Sequence, residues 1–125
     1  METKAALRVM LVDDSSTIRQ TISGMLEGAG YEVMCCTDGF NCIANALTFN
    51  PDLFFIDVLM PRVDGYKTAS LIRNKAQFKN TPIIMLSSKD GLFDKARGQA
   101  AGASDYLTKP SNKEDILAAI RKYFP

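Results

Sequence analysis

Leu53-Phe54-Phe55-Ile56-Asp57 is a run of four apolar residues closed by an acid. A strand covered on one face alternates apolar with polar side chains, whereas a strand covered on both faces reads as an unbroken apolar run. This segment therefore belongs at the centre of a parallel sheet, with its aspartate at the carboxyl end. Leu7-Arg8-Val9-Met10-Leu11-Val12 and Ile83-Ile84-Met85-Leu86 have the same character, and they run into Asp13-Asp14 and Ser87-Ser88. Tyr31 to Cys36 and Asp105 to Thr108 are less uniform and fit positions nearer the sheet edges.

Between these runs the apolar period becomes helical. Ile18, Ile22, Met25, Leu26 and Ala29 fall on one face, as do Phe40, Ile43, Ala44 and Leu47. Tyr66, Ala69 and Ile72 mark a third helix; Leu92, Ala96 and Ala100 mark a fourth, less apolar one. Ile116, Leu117, Ile120 and Phe124 mark the last, which opens with the capping-box spacing Ser111-Asn112-Lys113-Glu114. Gly30, Asp38-Gly39, Asn50-Pro51, Asp64-Gly65, Thr81-Pro82 and Gly102 punctuate the pattern between elements. Five strands alternating with five helices predict an α/β sandwich, since right-handed crossovers place helices on both faces of a parallel sheet. The order of the strands is not readable from periodicity.

A length of 125 residues suits a single domain with one core, residues 1–125. With 15 basic and 14 acidic side chains the net charge is +1, which gives no field to gather nucleic acid or an anionic membrane. No apolar stretch reads as a signal peptide or a membrane span, so a cytoplasmic protein without membrane insertion is expected. The chain has no histidine, which removes Ser-His and Cys-His pairs and any internal phosphohistidine. Cys35, Cys36 and Cys42 lack zinc-site spacing and read as small buried hydrophobes.

The acids and polar residues at the strand ends carry the chemistry. In open parallel sheets, ligands bind outside the carboxyl ends of strands, at the point where strand order reverses. If the first and third strands are neighbours there, Asp13, Asp14 and Asp57 converge, and Ser87 and Lys109 reach the same rim. Three carboxylates within about 5 Å repel by several kcal/mol per pair at an effective dielectric of about 20, so one binds a proton or the group holds a cation. Oxygen ligands on an open rim favour Mg²⁺ or Mn²⁺. With a cation present, Asp57 can act as a carboxylate nucleophile toward phosphorus, Lys109 can neutralise a phosphoryl oxygen, and Ser87 can donate a hydrogen bond to it. Taken singly, each has a plainer use: Asp14-Ser15-Ser16 as a helix cap, Lys109 as a solvated charge, Tyr106 as an edge-strand aromatic.

Val12-Asp13-Asp14-Ser15, the stretch Asp57 to Gly65 (DVLMPRVDG), Met85-Leu86-Ser87-Ser88 and the stretch Gly102 to Pro110 (GASDYLTKP) together resemble the response-regulator receiver family over essentially the whole chain. The resemblance implies a flavodoxin-like (βα)5 doubly wound sandwich with strand order 2-1-3-4-5. It makes Asp57 the phosphoacceptor, Asp14 a direct metal ligand, Asp13 a ligand through water, and the Leu59 backbone carbonyl another ligand. It makes Ser87 the switch hydroxyl, Lys109 the phosphate-binding lysine, and Tyr106 the aromatic that turns inward on activation, with Pro110 after a cis bond. The implied partners are a histidine kinase or phosphotransfer protein and a downstream effector. Met60 to Tyr66 and Pro82 to Lys95 further resemble single-domain regulators of chemosensory systems that control type IV pili and twitching motility.

Three positions depart from the family pattern or modulate it. Ser111 stands where many receivers have phenylalanine, and Leu59 and Lys89 sit two places after Asp57 and Ser87, flanking the phosphoryl group. An apolar Leu59 is expected to hinder the attacking water. Among rivals, an aspartate-nucleophile phosphatase of the haloacid-dehalogenase type needs a second aspartate where this chain has Leu59. A flavin carrier would set its phosphate against Asp13-Asp14. The remaining alternative is a pseudo-receiver that docks without phosphorylation.

Overall fold

A computed structural model describes residues 6–58, 60, 64–87, 92–108 and 112–125, with the backbone alone for residues 92–95. The elements alternate as β1 (Arg8–Val12), α1 (Ser16–Gly28), β2 (Glu32–Cys36), α2 (Gly39–Phe49), β3 (Leu53–Asp57), α3 (Gly65–Arg73), β4 (Ile83–Ser87), α4 (Leu92–Ala100), β5 (Asp105–Thr108) and α5 (Lys113–Tyr123), with one 3₁₀ turn at Ala76–Phe78. The strands are parallel in the order β2-β1-β3-β4-β5, as the resemblance implied. β1 lies between β2 and β3, so the order reverses beside it and a crevice opens at the carboxyl ends of β1 and β3.

Every residue of β3 and β4 is buried, which is why their sequences are continuous apolar runs. The edge strands β2 and β5 are mostly half-buried or exposed. One core packs Ile22 and Leu26 of α1 and Ile116, Ala119 and Ile120 of α5 against one sheet face. The other packs Cys42 and Ala46 of α2 and Tyr66, Ala69 and Ile72 of α3 against the opposite face. Phe54 and Phe78 meet edge to face at 5.3 Å between ring centres in that second core. Burying each ring contributes about 1.5–3 kcal/mol.

Several local expectations are corrected. α2 buries Gly39, Cys42 and Ala46, with Ile43 half-buried, so the face read from Phe40, Ala44 and Leu47 points outward. Phe40 is 58% exposed and Leu47 48%. Helical spacing is satisfied by both sets, and the small set lets α2 lie close to the sheet. On α4 both Ala96 and Ala100 are exposed, and among its described side-chain positions, 96–100, the buried one is Gly98, which faces Met85, Tyr66 and Tyr106. Ala29 is exposed and caps the end of α1 rather than packing. The α5 cap is Asn112, whose Oδ1 accepts from the Asp115 amide at 2.8 Å, one residue later than the box at Ser111. Cys35 is exposed, while Cys36 and Cys42 are buried as expected.

Candidate functional site

β1 carries its pairing one residue beyond Val12: the Asp13 amide donates to the Cys36 carbonyl at 3.1 Å. Asp13 is fully buried, and its Oδ1 accepts from the Ser15 amide at 2.9 Å. Ser15 is the N-cap of α1, its Oγ accepting from the Ile18 amide at 3.3 Å. The capping role therefore falls on Ser15 and leaves Asp14, which is exposed, for other work. Asp57 ends β3 and is 5% exposed. One carboxylate oxygen from each of Asp13, Asp14 and Asp57 lies within 4.8 Å of the others.

The acceptor loop is held on both sides. The Val58 amide donates to the Leu86 carbonyl at 2.9 Å, and the Val58 carbonyl accepts from the Gly65 amide at 2.9 Å. Ser87, 3% exposed, ends β4 on the strand next to Asp57. Thr108, the last residue of β5, lies opposite Ser87. Lys109 follows it in sequence but lies outside the described residues, as do Leu59, Ser88, Lys89, Pro110 and Ser111. Of the expected site, Asp13, Asp14, Asp57 and Ser87 are thus placed around one rim.

Tyr106 sits apart from that rim, half-buried on β5 opposite Met85. Beside it is a cleft of about 250 Å³ between Gly98 and Gln99 of α4, Asp105 and Tyr106 of β5, and Lys122 of α5. Lys122 Nζ is 3.1 Å from Asp105 Oδ2, and that hydrogen-bonded carboxylate pushes the lysine pKa up.

Two arginines that sequence reading passed over border the site. Arg19 Nη1 donates to the Asp13 carbonyl at 2.7 Å. The Arg97 guanidinium stacks 4.5 Å from the centre of the buried Tyr66 ring and lies 3.7 Å from Asp64, the N-cap of α3. The one available signal for Arg19 was a cation one turn into the helix that follows paired acids.

Oxygen is the only donor offered by the three converging carboxylates, and two of them are buried, so a hard divalent cation suits the group better than a soft metal. The response regulator receiver domain family matches residues 9–121. The chain belongs to this family. Receiver domains are signalling domains rather than enzymes acting on an external substrate. The chain is 50% identical over 119 residues to the protein PilG of Pseudomonas aeruginosa, an alignment covering 95% of this chain and 88% of PilG. It superimposes on the chemotaxis protein CheY4 of Vibrio cholerae with a TM-score of 0.92 and 38% identity, covering 94% of this chain and 98% of the other. A second similar structure is the receiver domain of the sensor histidine kinase PA1611 from P. aeruginosa, with a TM-score of 0.88, 28% identity and coverage of 95% and 98%. It holds a magnesium ion in its active-site cleft. No helix among the described residues is long and apolar enough to cross a membrane.

Proposed function

We propose that this receiver accepts a phosphoryl group on the Asp57 carboxylate from a phosphohistidine of a partner histidine kinase or phosphotransfer protein. A carboxylate oxygen forms the new bond to phosphorus as the phosphorus–nitrogen bond breaks, and the imidazole leaves to take up a proton. The observation that carries the reading is the convergence of the Asp13, Asp14 and Asp57 carboxylates at the strand-order reversal, with Ser87 on the adjacent strand. Asp14, Asp57 and the Leu59 carbonyl would hold Mg²⁺ or Mn²⁺ directly, and Asp13 through water. When bound, the cation offsets repulsion between the carboxylate and the incoming phosphoryl oxygens.

Lys109 would pair with a phosphoryl oxygen and Ser87 donate to another, each contact contributing about 1.5–3 kcal/mol. Inverting a two-state population from mostly inactive to mostly active takes about 5.5 kcal/mol of differential interaction, which two such contacts can just supply. The element they bias is the segment from Ser87 through α4, with Tyr106 and the α4–β5–α5 cleft as the surface presented to an effector. Residues 1–125 then act as one receiver whose output passes through that effector in the cytoplasm. The likeness to PilG supports a place in a chemosensory system governing type IV pilus motility.

The test is Mg²⁺-dependent binding of beryllofluoride, followed by amide NMR. Shifts that spread from residues 57–58 to 87 and 106, and vanish in Asp57→Asn, are expected. Shifts confined to the acidic rim would contradict the switch.

A further inference from the structure

We infer that Arg19 is a positioning residue for the cation site, an inference that rests on the reading of Asp13, Asp14 and Asp57 as metal-binding carboxylates. A guanidinium beside three carboxylates would ordinarily pair with one of them in a two-pronged contact and compete with a metal for it. Arg19 does otherwise. Its Nη1 donates to the main-chain carbonyl of Asp13 at 2.7 Å, and it makes no ion pair among the described residues. The charge is spent on the loop and not on a ligand.

That bond joins two others that hold Asp13 among the described residues. The amide of Asp13 donates to the Cys36 carbonyl at 3.1 Å, its carboxylate accepts from the Ser15 amide at 2.9 Å, and its carbonyl accepts from Arg19. The first ties the turn to β2, the second to the start of α1, and the third to the first full turn of α1. Asp14 follows directly on this anchored peptide and is exposed, and no hydrogen bond or ion pair among the described residues fixes where its carboxylate points. Arg19 is half-buried, in a setting where its hydrogen bond is less exposed to competing water than a surface bond.

Two effects of Arg19 on a divalent cation oppose each other. Anchoring the loop prepares the carboxylates for the ion, which tightens binding, whereas a nearby positive charge repels the ion, which weakens it. A charge-assisted bond of 2.7 Å to the very residue that carries a ligand makes the anchoring the larger effect.

Mg²⁺ affinity of the unphosphorylated protein is the readout, measured by calorimetric titration on the parent and on Arg19→Ala and Arg19→Lys, with thermal unfolding recorded without metal. Arg19→Ala is expected to bind Mg²⁺ about 10-fold more weakly, the low end for a group that orients a metal ligand, while remaining folded. Arg19→Lys, which keeps one charged donor, is expected to recover most of the loss. Unchanged or tighter binding by Arg19→Ala would overturn the inference, as would a fall in melting temperature with no change in the affinity of the folded protein. A parent that binds no Mg²⁺ would overturn the metal-site reading itself, and the inference with it.

Discussion

Gly65 is pressed against the carbonyl of Asp57: a Cβ built at position 65 would overlap the Asp57 carbonyl oxygen and crowd Val58. The Gly65 amide meanwhile donates to the Val58 carbonyl. The start of α3 is thereby locked to the backbone of the proposed acceptor, and Asp64 just before it caps the helix by accepting from the Lys67 amide at 2.8 Å. Only a residue without a side chain permits this approach.

Gly65→Ala should therefore act on stability and site together. Backbone has to move to admit the methyl group, at a cost of about 2–4 kcal/mol in line with overpacking and backbone strain. Urea denaturation measures the loss, and weaker Mg²⁺ binding should accompany it. A variant as stable as the parent would show that the loop yields freely.

The three thiols should divide into one accessible and two protected groups. Cys35 is exposed, and Cys36 and Cys42 are buried. Burial pushes the Cys42 thiol strongly up, and the Cys36 thiol up as well. A disulfide reagent should titrate one thiol in the native protein and all three in denaturant. Because the buried thiols titrate higher when folded than the ordinary value of about 8.5, their contribution is fully present below that pH and is lost as pH rises above it. The urea midpoint should fall between about pH 8.5 and 10, and the fall should be shallower in Cys42→Ala; an equal slope would contradict the assignment.

Phe40 and Leu47 should tolerate polar substitution despite their size. Both are among the exposed residues of α2, so Phe40→Ser and Leu47→Asn should each change stability by no more than about 0.5 kcal/mol. Ile72→Ala, from the buried face of α3, should cost about 2–5 kcal/mol. Losses at Phe40 matching that at Ile72 would mean the apolar face of α2 is covered in solution.

α2 also shows where the sequence was hard to read. Its residues 39–49 contain no charge, so apolar side chains occur all round the helix and spacing alone selects no face. The larger side chains suggested a core that the smaller Gly39, Cys42 and Ala46 in fact supply. Strands such as Leu53–Asp57 were legible because burial on both faces leaves no room for polar residues. Strand order came through family resemblance, since no local property of β1 records that β3 lies beside it. The acids were legible from their place at strand ends. Arg19 was not, because a cation one turn into the helix after paired acids is only a weak signal and a hydrogen bond to a carbonyl adds nothing to it.

Position 59 should set the phosphoryl lifetime. An apolar Leu59 two residues after the acceptor offers no hydrogen bond to an attacking water, so Leu59→Asn should lose the phosphoryl group faster than the parent. Equal decay rates, followed by release of inorganic phosphate, would contradict this.

The most direct test of the central claim is the intact mass of the protein after incubation with a small phosphoryl donor, with and without Mg²⁺, beside Asp57→Asn. A single Mg²⁺-dependent phosphoryl adduct on the parent, absent from Asp57→Asn, is the predicted result. An adduct that persists in Asp57→Asn, or none on a parent that also fails to bind beryllofluoride, would contradict phosphorylation at Asp57 and leave a domain that docks without it.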